Sequence, residues 1–198
     1  MRTRAPACML VVLALALGAC TDDRVRPSDT LPSTSESPPT TSESPTATAS
    51  SGPNGVVPIP TPNPLASEQS ETGAIAFNEY WTMTLDYLYA TLDVEPFREV
   101  SSPDCSFCTS VLEQEGRAEQ GYVYQGGRVT IEGSVVNSFE GASATVTTIV
   151  GITELIVTDP QGNRDPESGP AQPRFQFVNY LAWTGEGWVV IDANGGAL

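Results

Sequence analysis

Cys105 and Cys108, three positions apart, are the residues whose type and spacing most directly suggest chemistry. A C-x-x-C pair is a redox centre when its first thiolate sits at a helix N-terminus, where the helix dipole favours negative charge. It is a structural bridge when the two sulfurs only close a short ring. As a zinc site it is incomplete, because a tetrahedral site needs two further ligands and the 198-residue chain has no His. The redox reading is weakened by its surroundings: the preceding segment reads as helix and loop rather than as the strand of a βαβ unit, and Asp104 beside Cys105 would raise the thiol pKa. A structural disulfide is the preferred reading. All nine basic side chains are Arg, so mechanisms that need an imidazole or an amine side chain are excluded. A second set of candidates lies in residues 158–173, where Asp159, Asn163, Asp165 and Glu167 could offer oxygens to calcium. Their spacing with Gly162 and Pro166 does not reproduce an EF-hand register, and a solvated polar loop is preferred. No phosphate loop, nucleophile elbow or H-E-x-x-H stretch occurs, and neither metal nor cofactor is expected.

The other two cysteines, Cys8 and Cys20, fix the expected compartment. Arg2 and Arg4 precede the apolar run of residues 9–17, MLVVLALAL, which is too short to cross a hydrocarbon core of about 30 Å as a mature helix. The run ends in Leu17-Gly18-Ala19-Cys20, a tetrapeptide that resembles a bacterial lipobox. That motif implies cleavage before Cys20, with diacylglycerol on its sulfur, and residues 1–19 as signal peptide. Two acyl chains hold firmly where one is marginal, each buried methylene contributing about 0.8 kcal/mol. The protein is expected on the outer face of the cell membrane. Cys105 and Cys108 are then the thiols left to pair, in a compartment that oxidises them.

The elements that must position these residues follow a stalk. Ser, Thr and Pro supply 29 of the 52 residues from 21 to 72. Such a segment buries too little apolar surface to offset its chain entropy and is read as disordered. It would reach about 40 Å as a coil and up to about 160 Å if extended. The globular domain is expected over residues 73–198, where 5 Arg face 6 Asp and 11 Glu. That balance excludes nucleic acid and anionic headgroups as steered partners. The expected partners are the membrane, through the lipid, and a protein or small-molecule ligand outside the cytoplasm.

Within the domain, Phe77, Trp81, Leu85, Leu88 and Leu92 recur at helical spacing over residues 74–92, with Thr72 as the expected N-cap. Tyr80, Tyr87 and Tyr89 widen the apolar face, which makes this helix central. Short helices are expected over residues 96–100 and 106–119. From Gly126-Gly127 onward the period is two: Val129, Ile131, Gly133 and Val135, then Ala144 to Ile152, then Leu155 and Val157 in the opposite phase. A β-bulge between Ile152 and Leu155 would produce that flip. Phe175, Phe177, Leu181 and Trp183 alternate around the polar exception Asn179, and the turn at residues 184–187 closes a hairpin onto residues 188–192. Helices followed by strands give an α+β fold, N-terminal helices packed on a curved antiparallel β-sheet.

The order of elements resembles the nuclear transport factor 2-like fold, a cone whose mouth often holds a pocket. The lipobox, the Ser/Thr/Pro stalk, A-I-A-F-N-E-Y-W, C-S-F-C and Y-V-Y-Q-G-G together resemble an uncharacterised family of actinobacterial lipoproteins, domain of unknown function 6318. The first resemblance implies that an enzyme built on this cone would work with an Asp and a Tyr, here from Asp86, Asp192, Tyr80, Tyr87 and Tyr180. Aromatics at regular spacing are ordinarily core, and no acid–base pair is recognisable, so the preferred function is a non-enzymatic binding or accessory domain. The alternative is a small-molecule enzyme of isomerase, dehydratase or lyase type. A cavity filled by Phe77, Trp81, Phe175, Phe177 and Trp183 would speak for the first, and an open one lined by a carboxylate for the second.

Overall fold

Helix α1, Glu71–Thr91, runs through the middle of the fold in the computed structural model, which describes residues 49–52 and 55–198. The expected signal peptide, the lipidated Cys20 and most of the stalk lie outside the described residues. At 1.5 Å per residue, 21 residues make α1 about 31 Å long. Trp81, Leu85 and Leu88 are fully or almost fully buried, as the helical spacing requires, and so are Tyr87, Thr84 and Ala90 on other faces. Burial on several sides explains the weak amphipathicity of a helix that nonetheless organises the core.

The cap lies two residues before the expected Thr72: the Ser70 hydroxyl accepts from the Gly73 amide at 3.0 Å. The chain before it is not a free stalk. A hairpin pairs β1, Ala49–Gly52, with β2, Gly55–Pro58, and a 3-10 turn follows at Pro64–Ser67. Ala66 is buried in the core, and the Trp188 indole N–H donates to the Glu68 carbonyl at 2.9 Å. A Cβ at Gly73 would lie 2.0 Å from the same carbonyl oxygen, so this close approach needs glycine. The folded region therefore begins well before the expected boundary at residue 73.

Helix α2, Glu95–Glu99, places Phe97 against Trp81 at a ring separation of 5.2 Å. Helix α3, Ser106–Leu112, is shorter than the expected 106–119. It ends in i→i−3 bonds from Gln114 to Val111 and from Glu115 to Leu112, which turn the buried Gln114 inward.

Four antiparallel strands form the main sheet in the order β4–β5–β7–β8: Val129–Phe139, Ser143–Ile152, Gln172–Trp183 and Trp188–Ala197. Register shifts fall at Ile131/Gly133, Val136/Ser138, Val150/Ile152 and Tyr180/Leu181. Each adds local bend and twist, which lets the sheet curve around α1. The helices followed by this sheet give the expected α+β cone.

The phase flip after Ile152 is a change of sheet instead of a bulge. Strand β6, Leu155–Thr158, leaves the main sheet and pairs antiparallel with β3, Val123–Gly126. The corner is held where the Thr153 hydroxyl accepts from the Arg128 amide at 2.9 Å and the Glu154 carbonyl accepts from the Gly127 amide at 2.9 Å. Gly126, at φ +74°, is required there, since a Cβ would meet the Glu154 oxygen at 2.0 Å. Asn179 is also explained: its amide donates to the Asn78 side-chain oxygen at 2.8 Å, and Asn78 donates to Thr148 at 2.7 Å, a polar chain crossing the buried interface of α1 and sheet. No helix among the described residues is long and apolar enough to cross a membrane.

Candidate functional site

The C-terminal half of α1 does not fill the space under the sheet. Leu85 and Tyr89 from α1, Phe107 from α3, Val129 from β4, Ile152 from β5, Leu155 from β6 and Phe175 and Phe177 from β7 enclose a cavity of about 400 Å³. The deep wall is Leu85 and Phe177, both buried, while Thr153, Glu167 and Pro170 are exposed and mark the mouth. The strand change at Thr153–Glu154 opens this space, because it carries the chain away from the main sheet just where α1 still has side chains to cover.

The mouth is closed on one side by residues 159–171, a segment whose composition predicts a solvated loop. Two of its acidic residues are instead clamped. Arg117 pairs with Asp165 at 3.1 Å and with Glu167, and its guanidinium lies 4.0 Å from the Tyr122 ring centroid. Glu167 Oε1 accepts from Gln114 at 2.6 Å, and Oε2 accepts from the Tyr124 hydroxyl at 2.6 Å. The Gln114 side-chain oxygen lies against the same hydroxyl, whose single proton the two acceptors share. Burial first, then the hydrogen bond and charge of Glu167, push the Tyr124 phenol well above its ordinary value. Burial, then the Glu167 charge, raise the Tyr89 phenol in the same direction. Asp159 serves the loop itself, its Oδ1 accepting from the Gln161 and Asn163 amides at 2.9 and 2.8 Å. Its hydrogen bonds with the Asn163 side chain and amide hold the Asp159 carboxyl below its ordinary value. Among the described residues no three acidic, Cys or His side chains are grouped to hold a metal ion.

The five residues expected in the cone pocket are not brought together. Asp86 is tied to the start of β4: its Oδ1 accepts from Arg128 Nε at 2.9 Å and from the Val129 amide at 2.8 Å, and its Oδ2 from Arg128 Nη2 at 2.6 Å. It fixes one wall of the cavity without lining it. Tyr87 is buried with its hydroxyl 3.1 Å from Asp93 Oδ2. Tyr180 and Asp192 face each other across β7 and β8 and are both exposed. Tyr80 lines a smaller cleft of about 240 Å³ beside Pro62, Phe77 and Trp188, near the other end of α1. Helical and strand spacing located these residues on the right elements, but the pocket opens along a different face. The side chains that sequence reasoning missed as site residues are Tyr89, Phe107, Arg117 and Tyr124, while Glu167 was weighed only as an oxygen for calcium. The usable signal was the scarcity of cations: with 5 Arg in the domain, each should have been assigned a carboxylate.

Cys105 and Cys108 are disulfide-bonded and fully buried at the start of α3. The bridge brackets Phe107, which turns into the cavity wall and meets Phe177 edge to face at 6.0 Å. Its contribution to the site is thus to hold an aromatic wall residue at the helix start.

Residues 44–194 match the profile of a family described as a family of unknown function, DUF6318. No curated protein matches the sequence. Among solved structures, the chain is similar to the intermembrane space region of the chloroplast protein ARC6, at 16% identity over 65% of this chain and 96% of that one, TM-score 0.42. It is also similar to an NTF2-like protein of unknown function in nutrient uptake from Rhodospirillum rubrum, at 11% identity over 61% and 97%, TM-score 0.42. A third is Aln2 from a Streptomyces species, at 8% identity over 61% and 87%, TM-score 0.39.

Proposed function

We propose, for a chain that belongs to the DUF6318 family of unknown function and takes no activity from that membership, that it is a surface-tethered lipoprotein whose domain binds a small apolar molecule. The observation that carries this reading is the cavity of about 400 Å³ with walls of Leu85, Phe107, Val129, Ile152, Phe175 and Phe177. Ligand pockets fall in the range of about 300–1,000 Å³ and are mostly apolar with a few placed polar groups. Burial of apolar ligand surface there contributes roughly 25 cal/mol per Å² before the costs of association. The tether rests on Arg2, Arg4, the apolar run and Leu17-Gly18-Ala19-Cys20, which would place the cavity outside the membrane, facing molecules of the extracytoplasmic space.

Glu167 in the wall is the one feature that favours an enzyme of isomerase, dehydratase or lyase type. A general base needs a lone pair aimed at the substrate and a proton affinity suited to its task. Glu167 already accepts from Arg117, Tyr124 and Gln114, which commit three of its acceptor positions to the clamp. The binding reading is therefore preferred.

The test is saturable binding of a neutral apolar fluorophore, N-phenyl-1-naphthylamine, to the purified chain. Ile152→Trp, which fills the cavity, should abolish binding while circular dichroism and thermal unfolding stay close to those of the wild type. Binding that survives this substitution, or no saturable binding to the wild type, would overturn the cavity reading. For the tether, Cys20→Ala should move the protein out of the membrane fraction or leave it uncleaved, and a cleaved variant still in that fraction would refute the anchor.

A further inference from the structure

We infer that the ligand of this cavity is an apolar ammonium compound, a hydrophobic body bearing one positive charge at the Glu167 side of the mouth. The inference rests on the cavity reading above and adds the sign of the ligand's charge. At the mouth one guanidinium, Arg117, serves two carboxylates, Asp165 and Glu167, so the wall carries one negative charge in excess. Of those three side chains Glu167 is the most exposed, at 38% against 16% for Arg117 and 15% for Asp165. Each carboxylate oxygen accepts two hydrogen bonds, and Glu167 Oε1 receives only that of Gln114 among the described residues. An N–H donor of the ligand has a place to go.

Two further features agree in sign. Tyr89 is one of the lining residues, and a phenol oxygen can accept from an ammonium. Tyr89, Phe107, Phe175 and Phe177 give the cavity ring faces and edges, and ring faces attract a desolvated cation. An anionic head finds nothing complementary. All five arginines of the described residues are already paired, Arg98 with Glu95 and Glu115, Arg117 as above, Arg128 with Asp86, Arg164 with Glu154 and Arg174 with Glu132. There is no Lys and no His to replace them. A carboxylate or phosphate entering beside Glu167 would meet like charge in a partly dehydrated site, where repulsion is screened less than in water.

The experiment compares three ligands with one phenylbutyl body, 4-phenylbutylamine, 4-phenylbutanol and 5-phenylpentanoate, titrated calorimetrically into the purified chain at pH 7 and low salt. The amine should bind about tenfold or more tightly than the alcohol, as expected of a charge-assisted hydrogen bond, with the carboxylate weakest. The amine's advantage should shrink with added salt. Glu167→Gln should bring the amine and alcohol affinities together while leaving the alcohol's in place. If that variant also loses the alcohol, the loop has moved, and the order of the three ligands on the wild type decides alone. Equal or tighter binding of the carboxylate would overturn the ammonium reading while leaving the cavity reading standing. If none of the three binds and the fluorophore does not bind either, the cavity reading itself has failed.

Discussion

The two ends of α1 lie under the same sheet and meet it differently. At the N-terminal end Phe77 is buried, Trp188 meets Trp183 edge to face at 5.3 Å and Phe139 at 6.2 Å, and the turn at Pro64–Ser67 is laid over them with Ala66 inside. At the C-terminal end Leu85 and Tyr89 face Phe107, Phe175 and Phe177 across about 400 Å³ of open space. One end is closed by apolar burial, the other by a loop whose Asp165 and Glu167 are held by Arg117, Gln114 and Tyr124. The sequence criterion of filled against open cavity turns out to divide the interior rather than the hypotheses, since Trp81 and Phe77 fill one part while Phe175 and Phe177 wall the other.

The largest expected effect tests the closed end. Trp188→Ala removes a nearly buried ring, its two aromatic neighbours and the donor to the Glu68 carbonyl. A loss of about 3–5 kcal/mol is expected in urea unfolding, together with new protease cleavage within residues 59–70. Resistance of that segment in the variant would mean that it is held by something other than Trp188. Phe175→Ala at the open end should cost less, about 2 kcal/mol, because the ring is half-buried and already borders a cavity. Equal losses at the two positions would erase the distinction between the ends.

Most of what holds the closed end could be read from the chain. Phe77, Trp81, Leu85 and Leu88 are buried where the 3.6-residue period put them, and the hairpin turn closes with the Thr184 amide donating to the Gly187 carbonyl at 2.9 Å. The rest was largely illegible, for three physical reasons. A phase flip looks the same whether the strand bulges or leaves for another sheet, and at Thr153–Glu154 it leaves. The pairing of Arg117 with Asp165 and Glu167 spans 48 and 50 residues, so no local pattern reports it. Ser70 and Thr72 are both good caps, and tertiary contact at Glu68 and Gly73 decided between them.

The disulfide supplies the next, smaller test. Closing so short a ring stabilises by about 2 kcal/mol at most on the loop-entropy argument. Cys105→Ala with Cys108→Ala should therefore leave a folded chain with a stability loss no larger than that. Because Phe107 lies between the two cysteines and lines the cavity, fluorophore affinity should fall severalfold even where the fold persists. Unchanged affinity would show that α3 alone places Phe107. Loss of fold would show that the bridge closes more of the core than the aromatic contacts suggest.

The smallest effect is spectroscopic and concerns the clamp. Tyr124 is fully buried and donates to Glu167 Oε2, and burial and Glu167 favour its neutral form more than the Arg117 charge opposes it. Its folded pKa lies above the unfolded value near 10, so up to about pH 10 both states hold the proton and nothing is lost. As pH rises further the unfolded chain releases that proton first, and stability falls progressively until the folded state can ionise too. In an ultraviolet titration, the difference between wild type and Tyr124→Phe should show no phenolate step around pH 10 while the chain remains folded. The variant should also lose less stability than the wild type between about pH 10 and pH 11, having no proton there to release. A phenolate step near pH 10 in that difference would mean that Tyr124 is not enclosed, and that the loop carrying Glu167 stands away from the body instead of closing the open end.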